Sequence, residues 1–306
     1  MKVLIVGLGS IASKHIFALR ELDNNVKIYA LRSGNNSTSD IKEGVINIFD
    51  ISELDMLVID FIIIANPTEF HYITIKGLIE FGKPLFIEKP LFSKITIETK
   101  ALVDTILKRN LQTYVACNLR FLDSIIRIKH LILSERINEV NVYCGSYLPD
   151  WRPGIDFRKV YSANREMGGG VHIDLIHELD YIYWLWNEPI ERRVFFSNSS
   201  SLDITAFDYA NYLWSYKEFT VSIILNYYRK DAKRVMEIVS ENGTYLIDLL
   251  GNTITKDGEL IFSSEQRIKD TYKSQMNYFI KTVLNGNNSF NTIEEANRIL
   301  ELCMQD

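Results

Sequence analysis

Lys2-Val3-Leu4-Ile5-Val6 runs directly into Gly7-Leu8-Gly9-Ser10-Ile11-Ala12, and this stretch decides the fold. The apolar run predicts a buried parallel strand that glycine ends at once, and a helical stretch follows. In such a unit Gly7 permits the tight turn, Gly9 lets the backbone approach a pyrophosphate, and Ala12 keeps strand and helix close. The stretch therefore predicts dinucleotide binding at a helix N-terminus, with an ordinary tight turn as the alternative.

The composition limits the kind of protein. With 306 residues, 47% of them hydrophobic, the chain can form two domains or one large one. A net charge of −5 without a basic stripe argues against nucleic acid as a partner. No apolar stretch approaches a membrane span, and the first apolar run is too short for a signal peptide. Cys117, Cys144 and Cys303 form no C-x-x-C pair and are typical of a reduced cytoplasmic protein.

The end of the second predicted strand, Val26–Leu31, bears on the choice of cofactor. A dinucleotide-binding unit normally carries an Asp or Glu there, which binds the ribose 2′-hydroxyl. This chain has Arg32 followed by Ser33. A guanidinium pairs with a 2′-phosphate that a carboxylate would repel. We therefore predict that NADP is preferred over NAD, with an ordinary surface arginine as the alternative.

Short apolar strands alternate with helical segments over about 120 residues. This alternation predicts an α/β fold with a doubly wound parallel sheet, whose site lies at the carboxyl ends of the strands. Polar residues stand at three such ends: Asn66-Pro67 after Phe61–Ala65, Glu88-Lys89 after Leu85–Ile87, and Asn118 after Thr113–Cys117.

At Glu88-Lys89-Pro90 the chain resembles the glucose–fructose oxidoreductase, inositol dehydrogenase and rhizopine-catabolism family, known as Gfo/Idh/MocA. The other matching motifs follow in the family's order: Gly7 to Ala12, Asn66-Pro67-Thr68 with His71, Asn118-Leu119-Arg120-Phe121, and Gly168-Gly169-Gly170 with Asp174, His177 and Asp180. The resemblance implies an N-terminal Rossmann domain, residues 1–120, and a C-terminal α/β domain, residues 121–306, on an open, mostly antiparallel sheet. The last helices of the family return toward the first domain.

The resemblance also implies an activity and an assembly. The activity is NAD(P)-dependent oxidation or reduction of a sugar or polyol carbon, and the assembly is a homodimer or homotetramer through the C-terminal sheet. Tyr147–Pro153 and Gly168–Asp180 are most similar to a branch associated with bacterial surface-sugar biosynthesis. Many members place the Asp four residues before the His, whereas Asp174 here is three before His177, a spacing that still gives one helix face.

The resemblance assigns roles to particular residues. Lys89 and His177 would handle the proton of a hydride transfer, and Asp174 would orient His177 or hold a substrate hydroxyl. The residue types suit these roles, because a desolvated lysine releases its proton more easily and imidazole titrates near neutral pH. The expected cofactor-binding residues are Gly7, Gly9, Ser10, Ile11, Ala12, Arg32, Ser33, Asn66, Pro67, His71, Glu88, Lys89 and Asn118. The expected substrate-binding residues are Lys89, Arg120, Trp151, Arg152, Tyr161, Asp174 and His177.

The second half of the chain supplies the predicted substrate elements. Leu148–Arg165 reads as a loop whose aromatic and hydrogen-bonding side chains suit a sugar or an anionic sugar, with a solvated surface loop as the alternative. A helix is predicted from Gly168-Gly169-Gly170 to about Trp186. A buried structural histidine is the alternative interpretation of His177. His172, Asp174, His177 and Glu178 are metal-ligand types without a metal-typical spacing, so we predict no metal.

Alternating segments between residues 192 and 261 predict an antiparallel sheet. These segments are Val194–Asn198, Ala206–Tyr216, Phe219–Tyr228, Val235–Ser240 and Thr244–Leu249. One face is expected to pack on helices and the other to pair with another subunit.

Two other functions stay open at this stage. One is a dehydrogenase of non-sugar diols or ketones, against which the polar side chains of Tyr147–Tyr161 argue. The other is a nicotinamide-binding regulator without turnover, against which the presence of Lys89, Asp174 and His177 argues.

Overall fold

The computed structural model describes residues 1–34, 43–287 and 290–304. Within them the chain divides into two compact units. The first comprises Met1–Cys117 and Tyr272–Leu300, and the second comprises Asn118–Thr271 with the residues from Glu301 onward. The helices of the described chain are α1 (Ser10–Leu22), α2 (His71–Leu78), α3 (Ile97–Lys108), α4 (Asp123–Leu131), α5 (Val171–Asp174), α6 (His177–Trp186), α7 (Thr271–Lys281) and α8 (Ile293–Cys303).

The described part of the first unit is built on a six-stranded parallel sheet. Its strands are β1 (Lys2–Val6), β2 (Lys27–Leu31), β3 (Val45–Ile48), β4 (Phe61–Ile64), β5 (Leu85–Ile87) and β6 (Thr113–Val115). Their spatial order, β3-β2-β1-β4-β5-β6, is that of a doubly wound sheet and confirms the prediction. The direction of winding reverses between β1 and β4, and ligands of such sheets bind outside the carboxyl ends of the strands at that point.

The first unit is closed by aromatic packing from the C-terminal part of the chain. Phe279 on α7 meets the ring of Phe61 at 5.0 Å and that of Phe86 at 5.3 Å between centroids, both edge-on. The backbone N–H of Val115 at the end of β6 donates to the carbonyl of Asn291. Residues 272–300 therefore complete the core of the first unit.

The described part of the second unit is built on an eight-stranded sheet. Its strands are β7 (Ile137–Tyr147), β8 (Glu191–Ser197), β9 (Tyr209–Ser215), β10 (Thr220–Asn226), β11 (Tyr228–Ser240), β12 (Gly243–Asp248), β13 (Thr253–Lys256) and β14 (Glu259–Ser263). The order is β14-β13-β12-β11-β7-β10-β9-β8, and every neighbouring pair is antiparallel except β7 with β10. The mostly antiparallel sheet is as predicted.

The two faces of this sheet differ in their surroundings. On one face α4 packs on β12 and β13, and α5 packs on β9 and β10, so that Trp214, Ile223 and Met236 are fully buried. On the other, which we call the outer sheet face, large apolar side chains remain exposed. They are Phe195 (62%), Leu213 (43%), Leu246 (42%) and Leu260 (64%).

Two local predictions for the second unit were wrong. The predicted helix from Gly170 to Trp186 is broken, because Leu175 adopts φ −101° and ψ 29° and ends α5 before α6 begins. The hairpin of β13 and β14 was missed, and its strands are short, at four and five residues. Across the described ranges every helix is too short or too polar to span a membrane.

Candidate active site

The glycine turn after β1 requires glycine at its first position. Gly7 has a φ of +87°, which L-residues with a side chain rarely adopt. A Cβ there would also lie only 2.8 Å from the Cα of Asn66, which follows β4. Gly7 therefore lets the carboxyl ends of β1 and β4 come together at the reversal point of the sheet.

The start of α1 is open. Gly9 precedes the helix, and no side chain of the described residues caps it. A Cβ on Gly9 would meet no described atom within 4 Å, so there is room in front of Ser10 and Ile11. Ala12 is fully buried at the close contact of helix and sheet. An uncapped helix N-terminus with open space before it fits a pyrophosphate, which suits the group that the sequence predicts.

The residues after β2 and β4 offer further cofactor contacts. Arg32 and Ser33 follow β2 directly, and neither carries a carboxylate. At the end of β4, the Asn66 side chain donates to Thr74 at 2.8 Å, and its buried Oδ1 accepts no hydrogen bond from the described residues. That oxygen is a buried acceptor whose hydrogen-bonding capacity the described residues leave unused.

His71, predicted as a cofactor ligand, is held by the backbone. It is fully buried, its Nδ1 lies 3.1 Å from the carbonyl oxygens of both Pro90 and Leu91, and its Nε2 lies 3.1 Å from the carbonyl of Asn66. Burial lowers its pKa. The imidazole thus ties the segment after β4, Asn66-Pro67, to the segment after β5.

Lys89 follows β5, next to a buried histidine–carboxylate pair. Glu88 is 6% exposed, and its Oε1 lies 2.5 Å from Nε2 of His15 on α1. Its Oε2 accepts a hydrogen bond from the backbone N–H of Lys89 at 3.2 Å. Lys89 itself is half-buried. His15 was not predicted as a site residue, although a histidine on the apolar stripe of α1 with Ala12, Ile16 and Leu19 was a visible signal.

In the second unit, Asp174 and His177 stand on either side of the helix break. Asp174 is the last residue of α5 and His177 the first of α6, and both are half-buried. Oδ2 of Asp174 accepts a 2.5 Å hydrogen bond from the hydroxyl of Tyr227. Burial, and then the Asp174 carboxylate, raise the pKa of Tyr227 well above its usual value, so this hydroxyl stays a donor. Tyr227 is a further residue that sequence reasoning missed.

The glycine run before α5 packs against the predicted substrate loop. A Cβ on Gly169 would lie 2.0 Å from the carbonyl oxygen of Tyr161, so only glycine permits this approach. The hydroxyl of Tyr161 donates to the carbonyl of Gly168 at 2.9 Å. Nε1 of Trp151 donates to Ser146 at 3.0 Å, whereas Arg152 projects into solvent. The loop is therefore fixed at both aromatic residues.

Two predicted residues of the second unit are engaged inside the fold. Arg120 is 1% exposed and forms a two-pronged ion pair with Asp180, with N···O distances of 2.8 and 2.7 Å. Nδ2 of Asn118 donates to the hydroxyl of Thr271 at 2.6 Å. These contacts engage both side chains within the second unit.

The histidines and carboxylates around His177 are also used within the fold. Glu178, weighed above as a metal-ligand type, is fully buried and binds Nε of Arg234 on β11 at 2.6 Å. His172 packs its ring against Phe196 and Phe207. Within the described ranges, no three His, Cys, Asp or Glu side chains are grouped so that they could hold a metal ion.

Both halves of the chain match models of one protein family. The GFO_IDH_MocA model, described as an oxidoreductase family with an NAD-binding Rossmann fold, matches residues 1–117. The model of the GFO/IDH/MocA C-terminal domain matches residues 125–246. A curated relative, an uncharacterized oxidoreductase of Streptococcus pneumoniae, is 28% identical over 141 residues, which are 44% of this chain and 37% of that protein. The matched part is thus little more than a third of the length of that relative.

Solved structures share the fold over 99% of this chain. UDP-N-acetylglucosamine 3-dehydrogenase GnnA of Acidithiobacillus ferrooxidans has a TM-score of 0.79 at 16% identity, with 95% of that chain covered. GenD2 from gentamicin A biosynthesis, in complex with NAD, has 0.80 at 17%, with 92% covered. Myo-inositol 2-dehydrogenase of Lactobacillus plantarum has 0.78 at 20%, with 95% covered. At these identities the likeness establishes the fold alone.

Proposed function

This chain belongs to the Gfo/Idh/MocA oxidoreductase family, and from that premise we propose that it transfers a hydride between a nicotinamide cofactor and a carbinol or carbonyl carbon of a sugar. One observation carries the proposal. Lys89 follows β5 at the carboxyl edge of the same parallel sheet whose first strand ends in the open glycine turn. A basic side chain on that edge suits proton transfer beside a bound dinucleotide.

The chain's own residues would hold the cofactor as follows. The N–H groups at Gly9, Ser10 and Ile11 bind the pyrophosphate, and Oδ1 of Asn66 accepts a hydrogen bond from the nicotinamide half. A bound nicotinamide supplies the hydride donor or acceptor, which the protein cannot provide.

We assign Lys89 the role of binding the oxygen atom on the reacting carbon. In the direction of oxidation, the carbinol C–H bond breaks and its electron pair leaves with the hydride, while the hydroxyl proton must pass to a base and a carbonyl remains. A lysine ammonium stabilises the alkoxide that develops on this oxygen. Glu88 accepts a hydrogen bond from the backbone N–H of Lys89, and this contact fixes the position from which the lysine side chain extends.

His177 is assigned the role of general acid and base. An imidazole near neutral pH can take the hydroxyl proton in oxidation and return it in reduction. Asp174 orients His177 or holds a substrate hydroxyl, with Tyr227 fixing the direction of its carboxylate. Both residues stand at helix ends next to the break after α5, where their side chains are half-buried rather than packed away.

We propose a sugar as the substrate and NADP as the preferred cofactor. Trp151, Arg152 and Tyr161 offer an aromatic surface and hydrogen-bonding groups of the kind that bind sugars. The guanidinium of Arg32 after β2 favours a 2′-phosphate, and NAD stays the alternative. The similar folds of a UDP-N-acetylglucosamine dehydrogenase and an inositol dehydrogenase support a hydroxylated ring as the substrate class.

We further propose a homodimer or homotetramer that uses the outer sheet face. Exposed apolar side chains on this face, Phe195 and Leu213 toward one edge and Leu246 and Leu260 toward the other, mark a protein contact. A reducing compartment, the cytoplasm, suits the three cysteines, which are buried and form no disulfide within the described residues.

A substrate screen tests the proposed reaction. Purified protein is mixed with NADP⁺ or NAD⁺ and with sugars, sugar phosphates, nucleotide sugars, polyols and apolar alcohols, and the corresponding ketones with NADPH or NADH, following absorbance of the reduced nicotinamide. Turnover with a sugar supports the proposal, and turnover with apolar compounds alone would overturn the substrate class. Lys89→Met should abolish turnover and leave cofactor affinity nearly unchanged. Full activity of this variant would contradict the role of Lys89.

A further inference from the structure

The imidazole of His15 and the carboxylate of Glu88 form a closed pair inside the first unit. His15 lies on the buried face of α1 and is 0% exposed, and Glu88, which follows β5, is 6% exposed. Their facing atoms, Nε2 and Oε1, are 2.5 Å apart. The pair therefore joins the helix that begins at the glycine turn to the segment that carries Lys89.

The second oxygen of Glu88 is also used within the chain. Oε2 accepts the backbone N–H of Lys89 at 3.2 Å. Both oxygens thus have partners in the protein, and little of the side chain is left for a ribose. The carboxylate therefore contacts both the imidazole of His15 and the backbone of Lys89.

The other side of Lys89 is held as well. Nδ1 of His71 lies 3.1 Å from the carbonyl oxygens of Pro90 and Leu91, and His71 is fully buried. Glu88 before Lys89 and His71 after it therefore restrain the segment from both ends.

The surroundings of His15 make its position specific. Its ring meets Phe86 edge-on at 4.9 Å and Tyr272 at 6.0 Å between centroids. Loss of His15 would leave Oε1 of a buried carboxylate without the partner it has in this fold, which is unfavourable, so we expect the Glu88 side chain to move. This movement alters the bond that Glu88 makes to Lys89.

We propose that His15 and Glu88 are positioning residues that fix the backbone at Lys89 and so hold its ammonium where the reaction needs it. This inference rests on the proposed role of Lys89 in handling the proton. It gives the pair a purpose beyond the stability of the unit, since a reacting group displaced by about 1 Å can lose about a hundredfold in rate.

The test compares two readouts in matched variants. Glu88→Ala and His15→Ala remove the pair, whereas Glu88→Gln keeps its shape and an oxygen for the N–H of Lys89. Thr96→Ala is the control, because it removes the cap of α3 in the same unit, at a cost of about 1 kcal/mol, and touches neither residue. The first readout is the acetylation rate of Lys89 by acetic anhydride relative to the exposed Lys94, by peptide mass spectrometry. The second is kcat set against cofactor affinity.

A positioning role predicts a rise of about threefold or more in the Lys89-to-Lys94 ratio for both alanine variants, because the segment loosens. It also predicts a kcat at least about tenfold lower at nearly unchanged cofactor affinity, with Glu88→Gln close to the parent and Thr96→Ala without effect on the ratio. An unchanged ratio, or a loss of cofactor affinity that matches the loss of kcat/KM, would overturn it. If the parent binds no nicotinamide, the proposed function fails, and the acetylation ratio alone decides the positioning role.

Discussion

The hydroxyl of Tyr227, which is fully buried, donates a 2.5 Å hydrogen bond to the carboxylate of Asp174 at the end of α5. The ring of Tyr227 in turn meets Trp151 edge-on at 5.4 Å. One buried tyrosine thus connects a predicted catalytic carboxylate to a predicted substrate residue. The contact explains how Asp174 keeps a defined direction although the helix ends at that residue.

Replacing Tyr227 should therefore affect turnover more than stability. Tyr227→Phe leaves the Asp174 carboxylate without its donor, and we expect kcat to fall about tenfold, since hydrogen bonds to charged groups contribute about 1.5 to 3 kcal/mol. Tyr212→Phe is the matched control, because Tyr212 is equally buried and donates at 2.7 Å to the carbonyl of Cys303. Both variants should lose similar stability. Equal turnover in the two would contradict the role of Tyr227.

The two glycines of the first turn should respond differently to alanine. Gly7→Ala places a Cβ 2.8 Å from the Cα of Asn66 at a φ of +87°, so we expect lower stability, by about 1 to 3 kcal/mol from backbone strain, together with weaker cofactor binding. The Cβ added by Gly9→Ala has no described atom within 4 Å, so this variant should keep the thermal stability of the parent. Its methyl group fills the space before α1, so cofactor affinity should drop about tenfold. Unaltered affinity in Gly9→Ala would place the dinucleotide elsewhere.

Stability should fall in acid partly through His172. Burial, and then the charge of Arg165, lower the pKa of His172 from 6.5 to about 4. Between these values the unfolded chain binds a proton that the folded chain excludes, so stability is present above about pH 6.5 and is lost toward pH 4. The histidine accounts for up to about 3 kcal/mol of this loss.

Urea unfolding at several pH values measures this effect. His172→Phe keeps an aromatic ring beside Phe196 and Phe207 and should flatten the dependence between pH 6.5 and 4. His130→Gln, a change at an exposed histidine of α4, should leave the dependence as it is in the parent. Parallel curves for His172→Phe and the parent would show that His172 does not carry the effect.

The sequence predicted the doubly wound parallel sheet of the first unit because its signals are local. Each strand there is an apolar run ended by glycine or a polar motif, and strand–helix alternation leaves few possible topologies. The arrangement of the second sheet was harder to predict from the sequence. Its alternation predicts strands, but it does not distinguish the parallel pair β7–β10 from an antiparallel one. The hairpin β13–β14 carries a turn signal, Asp257-Gly258, between two short strands.

The contacts that define the candidate site were largely hidden from the sequence. Lys89 and Asp174 could be named from motifs, whereas the partner of each comes from a distant part of the chain. His15 is 73 residues from Glu88, and Tyr227 is 53 residues from Asp174. A histidine or tyrosine among apolar residues is predicted to be a core residue, because the sequence does not show which distant residue it contacts. For Arg120 the motif predicts a substrate ligand, and the fold adds what the motif does not show, a buried ion pair with Asp180, 60 residues away.

The outer sheet face should control assembly. Leu213→Asp puts a charge on this face, on the strand β9 next to the edge strand that carries Phe195, and we expect a shift from oligomer to monomer in size-exclusion chromatography with light scattering. Leu57→Asp is the control, because Leu57 is 86% exposed on a short turn of the first unit. An unchanged mass for Leu213→Asp, or a monomeric parent protein, would rule out this face as the subunit contact.

Titration of the purified protein with NADPH and with NADH, following nicotinamide fluorescence, tests the central claim most directly. We predict saturable binding of both, with NADPH bound more tightly because Arg32 stands where a carboxylate would select NAD. Tighter binding of NADH would still agree with an oxidoreductase, but it would contradict the NADP preference inferred from Arg32. Absence of binding for either cofactor, in reduced and in oxidised form, would contradict the claim that the turn from Gly7 to Ala12 holds a dinucleotide.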